Sequence, residues 1–178
     1  SRTPHPGARA WTMKTPILLY HDLDAPGFPN EKPGLAARDT VVTLAAFDPD
    51  GARAAAGAST ERWQKGEPGG TLDGVPVTIK ENIATMGVPV PLGAASMPLV
   101  PAERDAPPAA RLREAGAIIF SKTTMPDYGM LSSGLSSFHP LTRNPWDLAR
   151  NPGGSSSGAG AAGAAGYGPL HLGTDIGG

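Results

Sequence analysis

The 178-residue chain contains no cysteine, which excludes disulfides, thiolate metal sites and a cysteine nucleophile. Serine, threonine, lysine and the carboxylates remain for covalent chemistry. Long apolar runs are also missing: nothing approaches the roughly 18 uninterrupted apolar residues of a membrane span. Residues Ser1 to Lys14 carry no apolar stretch after their basic residues, so nothing marks the chain for export or insertion. The expectation is a cytoplasmic protein without membrane contacts. Excess charge of either sign is lacking too, with Lys+Arg 15 against Asp+Glu 16 and a net charge of -1. No overall field draws the protein to nucleic acid, which points instead to a small-molecule substrate.

What is abundant is glycine, at 24 residues, and proline, at 20. Spread through polar sequence, such numbers would signal disorder. Here glycine concentrates after Asn151, interleaved with alanine and serine and almost without charge. That composition suits a segment packed closely against something. The length fits one domain with a core, or a piece of a larger one.

From Ser1 to about Thr40 there is little periodicity beyond the apolar run Pro16-Ile17-Leu18-Leu19-Tyr20. Leu18-Leu19-Tyr20-His21-Asp22 is similar to the first strand of polysaccharide deacetylases, but no second pair of metal ligands follows, and no metal site is expected. Asp48-Pro49-Asp50 offers a helix start, with Ala52, Ala55, Ala56 and Trp63 on one buried face. Val75-Pro76-Val77-Thr78-Ile79 reads as a β-branched strand ending directly at Lys80. Asp105-Ala106-Pro107-Pro108 starts a helix that Gly116 stops, and Ala117-Ile118-Ile119-Phe120 follows as a buried strand. Ser156 to Gly166 suits a helix of small residues, and Pro169-Leu170-His171-Leu172 leads into a further strand. Strands alternating with helices imply an α/β sheet covered by helices.

Three pieces carry the chemistry. Lys80 ends a strand, Gly153-Gly154-Ser155-Ser156-Ser157-Gly158 opens a helix, and Gly173-Thr174-Asp175-Ile176-Gly177-Gly178 lies at the C-terminal end. Singly, each has a bland reading: a solvated lysine, a flexible loop, a turn. Together they resemble the amidase signature family. Gly74-Val75-Pro76-Val77-Thr78-Ile79-Lys80-Glu81-Asn82 is similar to its lysine-bearing strand, and Asn144-Pro145-Trp146-Asp147 through Gly158 to its serine-glycine signature. The last block looks like the family's Gly-Thr-Asp-x-Gly-Gly-Ser, whose final serine is the nucleophile and would be residue 179; the sequence given stops at Gly178. In that family the bridging serine precedes the nucleophile by 24 residues, and counting back from 179 arrives at Ser155. The likeness runs from about Leu44 to Gly178 and includes Ala117 through Pro126, but it does not cover the first forty residues. Residues 41–178 are thus expected to be the N-terminal part of a single domain, with 1–40 set apart.

The resemblance implies an α/β fold with a mixed β-sheet core covered by α-helices, and a serine amidase that splits a carboxylic amide into an acid and ammonia or an amine through an acyl-enzyme. Lys80 would be the base, which requires burial that destabilises its cationic form. Ser155 would relay the proton and follow a cis peptide bond, and the backbone N–H groups of Ile176, Gly177 and Gly178 would form the oxyanion hole. Met130 resembles a family position whose carbonyl faces the substrate, although by residue type alone it reads as a core methionine. No cofactor is implied, and a homodimer is compatible. Two alternatives stay open: a glutamine-hydrolysing amidotransferase subunit of the same family, and an inactive fragment with a binding or structural role. His139 and His171 read as structural, with no carboxylate at a telling spacing. Ala159 departs from the family, which commonly has Ser or Glu there, without removing a catalytic group.

Overall fold

The computed structural model describes residues 44–46 and 48–176. The apolar run near Leu18, the His21-Asp22 pair and the oxyanion residues Gly177 and Gly178 all lie outside the described residues.

Four strands form one sheet in the order β1-β3-β2-β4. β1 is Leu44–Ala45, β2 Pro76–Lys80, β3 Ile118–Thr123 and β4 Leu170–Leu172. β2 runs parallel to both β3 and β4, while β1 is antiparallel to β3, so the sheet is mixed as expected. Every residue of β2 is buried, which is why that strand is a continuous run of β-branched and apolar residues and not an alternating one.

The first helix, α1, spans Pro49–Lys65; the side chain of Asp48 accepts from Gly51 N at 2.9 Å and proline occupies the first turn. It buries Ala52, Ala56 and Ser59, and Ala52 packs on Phe120 of β3. Ala55 does not share that face. It flanks the narrow stripe by most of a quarter turn and is exposed. Trp63, also expected inside, is 46% exposed in the last turn, where its Nε1 donates to Asp73 O at 3.1 Å.

Helix α2, Pro107–Glu114, connects β2 to β3 and packs Ala109 and Leu112 against Ile79, Ile83 and Ile119. Asp105 does not cap it: the N-cap is Ala106, without a side-chain bond. The Asp105 carboxylate instead accepts from Met86 N at 2.7 Å and Arg113 Nε at 2.9 Å. Helix α3, Ser157–Ala165, is built of serine, glycine and alanine, and its small side chains let Gly163 approach the ring of His171 on β4. Successive strand residues face opposite sides. Ile79 and Leu172 pack with α2 on one face, and Thr78 and His171 occupy the other at paired register positions, where His171 lies against Gly163 of α3. Lys80, two residues after Thr78, shares the α3 face and lies beneath the start of that helix.

Candidate active site

Lys80 ends β2 with 1% of its surface exposed. Its Nζ lies 2.7 Å from Ser155 Oγ and donates to Thr174 O at 3.3 Å. Burial lowers its pKa from the ordinary lysine value by penalising the cation, and the nearby Asp175 carboxylate offsets part of that. Ser155 precedes α3, after a cis Gly154–Ser155 peptide. Gly154 is required by close approach, because a Cβ there would stand 2.5 Å from Leu131 O.

The next serine has a different task. Ser156 occupies the N-cap of α3 but makes no cap bond. Its hydroxyl turns to the irregular segment after β4, donating to Thr174 O at 3.0 Å and accepting from Thr174 N at 3.2 Å. Gly173 makes room for this contact, since a Cβ there would meet Ser156 Oγ at 2.7 Å. Asn82 Nδ2 donates to Thr174 Oγ1 at 3.2 Å. Thr174 is therefore fixed by Ser156, Asn82 and Lys80. Sequence reasoning missed both Thr174 and Asn82 as site residues; the one signal for them is position, Asn82 two residues after Lys80 and Thr174 next to Asp175.

Lys80 and Ser155 open onto a cleft of about 360 Å³ whose wall includes Leu92, Tyr128, Met130 and Leu131. Met130 follows the short 3-10 turn Asp127–Gly129 and is 77% exposed, so it is not a core methionine. It borders the cleft beside Tyr128 and Leu131. Ile176 also lines this opening and is fully exposed.

His171 is structural. Its Nε2 donates to Gly168 O at 3.1 Å, which leaves Nδ1 to accept from Thr78 Oγ1 at 2.8 Å, and burial lowers its pKa. His139 does have a carboxylate partner, Glu81 Oε1 at 2.6 Å, 58 positions away and invisible to any local spacing. A second buried lysine, Lys122, bonds Ile83 O and Thr85 Oγ1 and makes no contact with Ser155. Burial lowers its pKa to about 8, against the opposing charges of Glu81 and Asp105. Among the described residues no three His, Asp or Glu side chains converge as metal ligands, and no helix is long and apolar enough to cross a membrane.

The amidase family model matches residues 35–178. The chain belongs to the amidase family. Curated relatives of this amidase-family chain include a glutamyl-tRNA(Gln) amidotransferase subunit from Chloroflexus aurantiacus, 43% identical over 80% of this chain and 29% of the relative. Its namesake from Symbiobacterium thermophilum is 50% identical over 61% of this chain and 22% of its own length. Among solved structures, an amidase superposes with a TM-score of 0.77 at 35% identity, over 90% of this chain and 35% of that one. The peptide amidase from Stenotrophomonas maltophilia does so with a TM-score of 0.70 at 26% identity, over 86% and 31%. The chain thus spans under a third of the length of the curated relatives it matches.

Proposed function

We propose that this chain supplies the base, the relay and the oxyanion donors of an amidase that hydrolyses a carboxylic amide through a serine acyl-enzyme. The observation that carries the reading is the 2.7 Å contact between Lys80 Nζ and Ser155 Oγ, made by a lysine that burial pushes toward its neutral form. A serine hydroxyl is a weak nucleophile until a base removes its proton, and an ordinary solvated lysine, protonated at neutral pH, cannot be that base. A neutral Lys80 keeps an N–H for Thr174 O and turns its lone pair to Ser155.

The attacking serine is the one that the family pattern places directly after Gly178. Its Oγ bonds to the amide carbon while its proton passes to Ser155, whose own proton moves to Lys80. The negative charge that forms on the carbonyl oxygen is received by backbone N–H groups of Ile176, Gly177 and Gly178, which would lower the barrier by about 3 kcal/mol per donor. Collapse breaks the C–N bond, and the proton returns from Lys80 through Ser155 to the leaving nitrogen. Ammonia or an amine departs, and water repeats the sequence on the acyl-enzyme to release the acid.

The test is release of ammonia from simple amides by the full-length protein and by its Lys80→Ala variant. Turnover in the variant equal to wild type sinks the assignment. A second reading, as one subunit of an amidotransferase, is supported by the names of relatives at 43% identity. Glutamine hydrolysed in strong preference to simple amides would decide for it.

A further inference from the structure

Lys80 and Glu81 leave the end of β2 as neighbours and do different things. Lys80 reaches Ser155; Glu81, equally buried at 1% exposure, reaches neither Ser155 nor Thr174. Its Oε2 accepts from Gly93 N at 2.5 Å, and its Oε1 accepts from His139 Nε2 at 2.6 Å. A carboxylate taken this far from water is unfavourable unless its oxygens are satisfied, and both are.

These bonds secure one wall of the cleft. Gly93 follows Leu92, whose carbonyl accepts from Tyr128 N at 2.7 Å. Leu92 and Tyr128 both line the cleft, and both hold φ at 52°, a left-handed backbone that non-glycine residues rarely adopt. Gly93 O in turn accepts from Ser136 Oγ at 2.6 Å, and His139 N donates to the same Ser136 Oγ at 2.8 Å. Glu81, Gly93, Ser136 and His139 therefore close a ring of hydrogen bonds behind the wall, and the ring is anchored on the residue next to the base.

We propose that Glu81, paired with His139, is a positioning residue that holds the Leu92–Tyr128 wall at a fixed distance from Lys80 to receive the acyl group of the amide. That wall presents Leu92, Tyr128, Met130 and Leu131, while Asn82, Thr174 and Asp175 also line the cleft, so the acyl group it fits lays an apolar face, an aliphatic chain or an aryl ring, against the wall. The acyl group rests on the amidase reading; the bracing of the wall does not. Base and wall share one strand end, so a shift of Glu81 would change where the acyl group sits while leaving the Lys80–Ser155 contact in place.

Two measurements on the full-length protein test this. The first compares acetamide with hexanamide in Glu81→Ala, His139→Ala and Glu81→Gln. The alanine variants are expected to raise KM for hexanamide by about tenfold or more while changing kcat for acetamide less than about threefold. Glu81→Gln, which retains an acceptor for Gly93 N and a partner for His139, should recover most of the loss. The second measures amide hydrogen exchange at Gly93 and Tyr128. Exchange should accelerate in Glu81→Ala, or in His139→Ala where Glu81→Ala does not fold, and stay unchanged in Lys80→Ala. Equal losses on both amides, or unaltered exchange at Gly93 and Tyr128, would overturn the proposal. Wild-type protein that cleaves neither these amides nor glutamine would refute the amidase reading instead, and the exchange rates would then decide the role of Glu81.

Discussion

Ser156 Oγ lies 3.0 Å from Thr174 O and 3.2 Å from Thr174 N, so one hydroxyl closes both backbone groups of a residue 18 positions away. That clamp holds Thr174, two residues before Ile176, the first of the proposed oxyanion donors. Ser156 Oγ is thereby engaged with the Thr174 backbone. Two such bonds contribute about 1 kcal/mol each, so Ser156→Ala should lower kcat about five- to thirty-fold. Steady-state kinetics on the full-length protein would check this, with Ser155→Ala showing a much greater loss.

The same clamp dictates glycine at position 173. Gly173→Ala places a methyl group 2.7 Å from Ser156 Oγ, and overpacking of this kind costs about 1–3 kcal/mol. In thermal unfolding the variant should melt several degrees below wild type. Removing the hydroxyl should relieve part of the clash, so the penalty of Gly173→Ala should shrink in a Ser156→Ala background, a non-additivity that a double-mutant cycle reads directly.

Lys80→Met and Lys80→Arg should each lower kcat by about 10²- to 10⁴-fold, the usual contribution of a positioned base. Arginine fails here because its guanidinium keeps its proton. The base works when neutral, so kcat/KM should rise with pH through the Lys80 ionisation. Burial moves that rise below the ordinary lysine value. A pH profile measures it, and a rise at the unshifted value would contradict the desolvation argument.

Lys122 gives a stability signature at alkaline pH. Its folded pKa of about 8 lies below the unfolded value near 10.5, so between those values the unfolded chain binds more protons. Stability from this group therefore rises with pH across that window, by up to about 1.4 kcal/mol per pH unit, and is flat below it. Chemical denaturation of wild type and Lys122→Met between pH 7 and pH 10 would isolate the slope, which the methionine variant should lose.

Much of the fold was legible because proline and glycine punctuate it. Pro49, Pro107 and Gly116 mark helix ends by backbone chemistry that acts locally, and the β-branched run into Lys80 can be buried only as a strand. Side-chain contacts across long separations were not legible. Asp105 has the composition of a cap, yet its carboxylate goes to Met86 N and Arg113, a choice made by tertiary packing. Trp63 and Ala55 carry the residue types of a buried face, but a helix stripe set by Ala52, Ala56 and Ser59 is too narrow to cover them. At the site, Lys80 and Ser155 came from a recognised pattern, whereas the clamp on Thr174 and the Glu81–His139 pair depend on approaches across 18 and 58 positions. Met130 sits at the cleft after a short turn, a place its residue type alone does not indicate.

In the proposed mechanism Lys80, through Ser155, activates a serine that follows Gly178. Fluorophosphonate labelling of the full-length protein, with mass mapping of the modified residue in wild type and Lys80→Ala, tests it most directly. The expected result is a label on the residue after Gly178 whose rate of formation collapses in the variant. A label on Ser155 or Ser156, or one that forms as fast without Lys80, would contradict this mechanism.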